Sequence, residues 1–409
     1  MAIVKPFFCV RPSEALASTV AALPYDVYSN AEARAYVRTH PKSFLAIDRS
    51  ETAFPEDVDM YAPQVYKKAG SLLQEWIQDG TFLRDNDRCY YLYELTMNGR
   101  TQTGIVACVS IDDYINGVVK KHENTRSDKE QDRICHVKAC SAQTGPIFLA
   151  YKANPAIQEI VFRTKQETPL YDFISEDGIG HRVFRIADAD RISTIEQTFA
   201  SIRHIYIADG HHRAASAVKA GLDLRNGTGS YTGDEEFNTF LSVLFPDEEL
   251  MIMDYNRVVK DLNGLTETEF FEKVSARFSI TPLPNRAKPG AKGEFTMYLS
   301  GRWYLCKAKE AAPTDPVEAL DVSVLQNKLL TPVLGIGDPK TDKRIDFVGG
   351  IRGLEELERR CNHDCKVAFA MYPTSIQELF DVADADKLMP PKSTWFEPKL
   401  RSGLFIHEI

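Results

Sequence analysis

The 409-residue chain contains no apolar run of the roughly 18 or more residues that a membrane-spanning helix requires. It also lacks a basic excess. Its 58 acidic residues outnumber 49 basic ones, for a formal net charge of −9. That balance excludes a general nucleic-acid-binding surface while leaving room for a local basic pocket. Met1-Ala-Ile-Val-Lys-Pro6 shows no signal-peptide pattern, so a cytoplasmic protein is expected. Eight cysteines are scattered without a CxxC pair. Cys361-Asn-His-Asp-Cys365 brings two thiols and an imidazole together, one ligand short of a structural zinc site, so reduced thiols are expected. No internal repeat or low-complexity tract occurs. Walker A, the kinase Gly-rich loop and GxGxxG are all missing, so any phosphate chemistry uses a different cradle. No GxSxG supports a serine hydrolase.

What is present reads as an ordinary globular protein. Hydrophobic residues make up 44% and charged residues 26%, and the length suffices for two or three domains. Ser29-Asn-Ala-Glu32 is a capping box that starts a helix ending near His40, before Pro41. A second helix is expected over about 61–78, with Val65, Ala69, Leu72, Leu73 and Trp76 at helical spacing. Residues 88–97 and 101–110 form a hairpin around Asn98-Gly99, a pair that favours the positive φ of two-residue turns. A second hairpin, 295–299 with 303–307, turns at Ser300-Gly301. Strands are expected at 239–245, 250–254 and 344–348, and helices at about 318–330 and 353–361. Pro, Lys and Gly cluster in 282–293, which suggests domains at 1–281 and 282–409. Hairpins and helices without regular βαβ alternation imply an α+β (mixed α/β) fold.

The chemistry concentrates in His204-Ile-Tyr-Ile-Ala-Asp-Gly-His-His-Arg213. A short apolar strand breaks at Asp209-Gly210 and runs into a helix expected to stop at Gly221. A helix N-terminus presents unpaired N–H groups and the positive end of a dipole, and so attracts anions. His211, His212 and Arg213 add donors there. Lys120-Lys-His-Glu-Asn-Thr-Arg126 is a second cluster, followed by Lys129, Asp132 and Arg133. In it Glu123, beside His122 and Lys121, can accept a hydroxyl proton while cations hold a phosphoryl donor; on local charge alone, a charged loop before an exposed helix is the better account of it. A third cluster, 389–404, sets Lys392, Ser393, Thr394, Lys399 and Arg401 in a proline-stiffened loop beside Trp395 and Phe396, as binding loops do. Gly349-Gly350 and Pro24-Tyr-Asp26 read equally as site-lining or as turns.

Together, Pro24-Tyr-Asp-Val27, His122-Glu-Asn-Thr125, Ala208-Asp-Gly-His-His-Arg213, Asp342-Lys-Arg-Ile-Asp-Phe-Val-Gly-Gly350 and Met389-Pro-Pro-Lys-Ser-Thr-Trp-Phe396 closely resemble the bacterial family known as domain of unknown function 1015, over the whole chain. The Asp-Gly-His-His-Arg box is similar to the phosphate-binding box of the ParB/sulfiredoxin-like superfamily, which includes kinases of free L-serine. The resemblance implies a ParB/sulfiredoxin-like core with an additional C-terminal α/β domain. It implies a small-molecule phosphotransferase, most concretely a free L-serine kinase making O-phospho-L-serine from ATP, ADP or diphosphate. Catalytic roles then fall to Glu123, Asp209, His211 and His212. Phosphate or substrate contacts fall to Gly210, Arg213, His122, Thr125, Arg126, Lys392, Ser393, Thr394, Lys399 and Arg401, with Mg²⁺ near Asp209. Asp26, Glu32 and Asp209 rival Glu123 as the base. The alternatives are a ParB-like nucleotide-binding regulator without catalysis, or a phosphohydrolase. A nucleic-acid partner is disfavoured because 221–280, where a basic helix-turn-helix should follow, is acidic.

Overall fold

The structure is a computed structural model that describes residues 1–125 and 127–409, apart from the side chain of Asp128. It is mixed α+β and divides into two compact units, Met1–Leu250 with Pro398–Ile409, and Met251–Glu397. The expected boundary at 281/282 falls inside the second unit. The Pro, Lys and Gly cluster there joins Phe278–Leu283 to Glu294–Leu299, two strands of one sheet that both pair with Arg302–Ala308. Turn-forming composition marks a loop and carries no information about which contacts cross it.

The first unit is built on a nine-stranded sheet. Its order runs Val119–Lys120, Ile205–Asp209, Ile147–Tyr151, Thr239–Pro246, Arg100–Ser110, Tyr90–Met97, Gly180–Ile186 and Tyr171–Ile174, with Val4–Lys5 also on Arg100–Ser110. Thr239–Pro246 is buried along its whole length, the mark of a central strand covered on both faces. The Asn98-Gly99 hairpin forms as expected, with φ of 52° and 78°. The capping box at Ser29 and Glu32 starts the helix Asn30–Thr39. A four-stranded sheet pairs Ile406–Glu408 with Cys9–Pro12 and Ala142–Gln143, which ties the C-terminal residues into this unit.

Two sequence expectations need correction here. The helix after the anion turn spans His211–Thr228 and passes through Gly221. Gly221 serves close packing: a Cβ there would lie 2.3 Å from the Phe237 carbonyl oxygen. The helix Ser127–Cys140 is not an exposed one, since Asp132, Arg133, Ile134, His136, Val137 and Cys140 are all buried. It packs against both His211–Thr228 and Pro63–Gln78.

The second unit holds a six-stranded antiparallel sheet in the order Phe278–Leu283, Arg302–Ala308, Glu294–Leu299, Val367–Met371, Tyr255–Val259 and Ile345–Gly349. The helix Gly353–His363 buries Leu354 and Leu357 among Val258, Tyr298 and Trp303. Among the described residues no helix is long and apolar enough to cross a membrane.

Candidate functional site

The site follows from strand direction. Ile205–Asp209 runs parallel to Val119–Lys120, so the segments that follow them, 121–125 and 210–213, leave the sheet at the same end. Ile147–Tyr151 is antiparallel to Ile205–Asp209, which brings its lead-in, Thr144-Gly145-Pro146, to that end as well. A register shift between Ile207 and Asp209 breaks the ladder there.

Gly210 makes the turn from strand to helix possible. It adopts φ 93° and ψ 30°, a left-handed conformation that costs an L side chain energy. The N–H groups of His211, His212 and Arg213 then occupy the first helical turn, where helix geometry provides no acceptor. Asp209 closes the turn. One carboxylate oxygen accepts the Gly210 N–H at 2.7 Å and the other the Lys399 ammonium at 2.8 Å. Burial would raise its pKa, but Lys399, Arg213 and the Gly210 N–H outweigh burial and hold the carboxyl well below its usual range. Its side chain is crowded yet 36% exposed, so the site is walled rather than sealed. Arg213 donates to the Pro146 carbonyl at 2.8 Å.

Arg213 also lines a small cavity with Tyr25, Asp48, Arg133, His136, Thr144 and Ser402. Tyr25, Asp48, Arg133 and His136 are walls of a second cavity of about 250 Å³, to which Asp26, Lys129 and Asp132 also contribute. The Arg133 guanidinium stacks 4.0 Å from the Tyr25 ring centroid and pairs with Asp132 at 2.9 Å. Burial pushes the Tyr25 phenol up to about 12, with Arg133 and Arg213 pulling the other way. Asp48 accepts from Thr144 at 3.1 Å, and His136 bonds the Ile47 carbonyl at 3.1 Å. Sequence reasoning missed Asp48 and His136, which carry no motif. Tyr25, Asp26, Lys129, Asp132 and Arg133 were visible only as members of ambiguous charged or turn-like stretches.

His211 turns away from Arg213. Its ring meets that of His122 edge to face at 4.5 Å, and its Nε2 lies 3.5 Å from the His122 backbone N–H. His122 is 2% exposed, and neither of its ring nitrogens has a hydrogen-bond partner among the described residues. Burial lowers its pKa to about 4; the Ile207 backbone and the Asp209 carboxylate oppose this. Burial, then His122, pushes His211 well below the usual imidazole range. Glu123 completes the group, with one ligand atom from each of His122, Glu123 and His211 lying within 4.8 Å of the others.

The remaining expected residues distribute as follows. His212 sits at the second helical position, and Thr125 donates to Glu130 at 2.9 Å. Arg126 lies outside the described residues. Lys399 reaches Asp209, but the neighbouring Arg401 is buried with its guanidinium on Asp177 and Ser175. Glu32 is taken up by the capping box. Lys392, Ser393 and Thr394 belong to the second unit, where Arg257 donates to the Lys392 carbonyl at 3.1 Å and Ser393 to the Pro390 carbonyl at 2.7 Å. There Gly349 accommodates the Trp395 indole and Gly350 the Asp254 carboxylate, at Cβ distances of 2.9 and 2.4 Å. That double glycine serves packing.

Solved structures share a distant likeness. A free serine kinase variant in complex with ADP is 15% identical, with 73% of this chain and 92% of that one covered and a TM-score of 0.36. A conserved hypothetical protein from Pyrococcus furiosus is 14% identical, with coverage of 73% and 94% and a TM-score of 0.35. SbnI with C-terminal truncation from Staphylococcus aureus is 11% identical, with coverage of 71% and 82% and a TM-score of 0.37. Likeness at this level fixes neither activity nor substrate. No curated protein gives a match. The profile of the family described as Protein of unknown function (DUF1015) matches residues 4–323, and the chain belongs to that family.

Proposed function

We propose that the protein is a small-molecule phosphotransferase, and most concretely a kinase of free L-serine that makes O-phospho-L-serine from ATP, ADP or diphosphate. The observation that carries this reading is the Asp209–Arg213 turn, whose helix N-terminus and Arg213 adjoin a polar cavity lined by carboxylates and a guanidinium. Phosphoryl transfer requires positioning and charge neutralisation above all. In this reading the N–H groups of residues 211–213, the Arg213 guanidinium and His212 hold the transferring phosphate, and Lys399 stands beside it. The cavity beside Tyr25 and Arg133 takes the acceptor.

Of the four carboxylates considered for the base, Asp26 lines that cavity, whereas Glu123 stands with two imidazoles and lines neither cavity. Asp26 therefore takes the role first given to Glu123. Asp209 is a poor Mg²⁺ ligand as it stands, because the Lys399 ammonium already sits 2.8 Å from one of its oxygens and would repel a second cation. No step is assigned to the metal.

The test incubates the protein with Mg²⁺, L-serine and each donor in turn, with products followed by phosphorus NMR. A serine-dependent phosphoester is expected. Donor loss without serine would make the protein a phosphohydrolase, and donor binding without turnover would make it a nucleotide-binding regulator. Arg213→Ala should lower turnover by roughly 10²–10³-fold. Its melting temperature should stay nearly unchanged, since the hydrogen bond to Pro146 is lost but Lys399 and the Gly210 N–H remain on Asp209.

A further inference from the structure

The group formed by His122, Glu123 and His211 has a different chemistry from the phosphate turn beside it. We propose that these three residues bind a borderline divalent transition metal of the zinc class, with an open coordination position. The proposal stands independently of the phosphotransferase reading.

Two observations carry it. Two imidazoles and a carboxylate converge, with one ligand atom from each within 4.8 Å of the others. Two nitrogens and one oxygen form the donor set of catalytic zinc sites with a vacant fourth position, and of facial-triad iron sites. Mg²⁺ prefers a shell of oxygens and ordered water instead. The second observation is His122 itself. It is 2% exposed, its ring lies edge to face with that of His211, and both ring nitrogens lack a hydrogen-bond partner among the described residues. A buried polar group left in that state is destabilising, so it calls for an explanation. A metal on one nitrogen supplies one.

The geometry closes at small cost. Zinc bonds of about 2.0–2.1 Å to imidazole place tetrahedral donors roughly 3.3 Å apart. Drawing the three atoms together from 4.8 Å requires side-chain movement of the order of an ångström. His122 and Glu123 follow the strand Val119–Lys120, and His211 follows Ile205–Asp209. The pairing of those two strands thus holds the ligands in register.

The test uses the full chain and the metal alone. Protein stripped with a chelator is titrated with Zn²⁺ and, separately, Co²⁺, with stoichiometry measured by equilibrium dialysis and elemental analysis. One equivalent is expected, with a Co²⁺ visible spectrum free of thiolate charge transfer, because the eight cysteines are not ligands. Glu123→Gln and His122→Ala should each weaken binding at least tenfold. Glu123 is only half-buried, so its variant remains informative even if His122→Ala fails to fold. Absence of stoichiometric binding, a thiolate band, or affinity unchanged in Glu123→Gln would each overturn the proposal.

Discussion

Replacing Gly210 with alanine tests the anion turn at its narrowest point. Two separable terms oppose the methyl group. Gly210 sits at φ 93°, and holding an L residue there costs about 1–2 kcal/mol. The new Cβ would also lie 3.2 Å from both Nε and Nη2 of Arg213, and 3.4 Å from its Cζ. Those are tight contacts, and a shift of the Arg213 guanidinium by a few tenths of an ångström would strain its 2.8 Å bond to the Pro146 carbonyl. The sum is about 2 kcal/mol, which corresponds to a melting-temperature drop of roughly 4–8 °C at 2–4 °C per kcal/mol. A double-mutant cycle separates the terms. In an Arg213→Ala background the contact term vanishes and Gly210→Ala should cost only its backbone part. Gly210→Asn should cost less than alanine in backbone energy, since asparagine tolerates the left-handed region. Diphosphate affinity, read by calorimetry, should fall in Gly210→Ala even where folding is intact. If Gly210→Ala melts with wild-type protein and binds diphosphate equally well, the turn is neither strained nor a phosphate cradle.

Two further predictions concern stability. His122 has a folded pKa of about 4 against 6.5 in the ordinary case. Its contribution is therefore fully present above pH 6.5 and is lost as pH falls towards 4. Between pH 8 and pH 5 this amounts to about 2 kcal/mol from His122 alone, with His211 acting in the same direction. Urea midpoints measured across that range should fall accordingly in wild type, and His122→Ala should flatten the profile; an unchanged profile would remove the buried neutral pair. Gly221→Ala should destabilise the protein by at least about 1 kcal/mol, although alanine gains about 1 kcal/mol in helix propensity, because its Cβ would strike the Phe237 carbonyl oxygen at 2.3 Å. A raised melting temperature in that variant would show that the backbone relaxes freely.

Local rules were legible in the chain and long-range pairing was not. The capping box at Ser29 and the Asn98-Gly99 and Ser300-Gly301 turns depend on neighbouring residues, and they appear where the sequence placed them. The strand, break and helix at 205–228 were readable for the same reason, except that Gly221 resembles a helix stop until Phe237 is seen beside it. Lys399 and Arg401 show the limit. The sequence presents two cations in one loop, but a cation's role depends on its partner. Lys399 meets Asp209, 190 positions away, while Arg401 is neutralised by Asp177. The cavity at Tyr25 was hidden because its walls come from four separate stretches, 25–30, 48–51, 60–69 and 129–136, whose proximity only the folded chain creates.

The helix N-terminus at residue 210 serves two sides, and helix geometry explains how. Successive residues advance about 100° around the axis, so positions 211 and 213 face roughly opposite directions. His211 accordingly meets His122, while Arg213 meets Gly145 and Pro146. Two parallel strands deliver the first pair, and the antiparallel strand on the other side delivers the second. An anion held by Arg213 and a metal held by His122, Glu123 and His211 would therefore be neighbours with separate ligand sets. Arg213→Ala should consequently lower phosphate chemistry by roughly 10²–10³-fold while leaving Zn²⁺ affinity within about twofold, a difference of roughly 0.4 kcal/mol. A tenfold loss of Zn²⁺ affinity in Arg213→Ala would mean that the two sides act as one site, and that the opposed directions of positions 211 and 213 do not separate their chemistry.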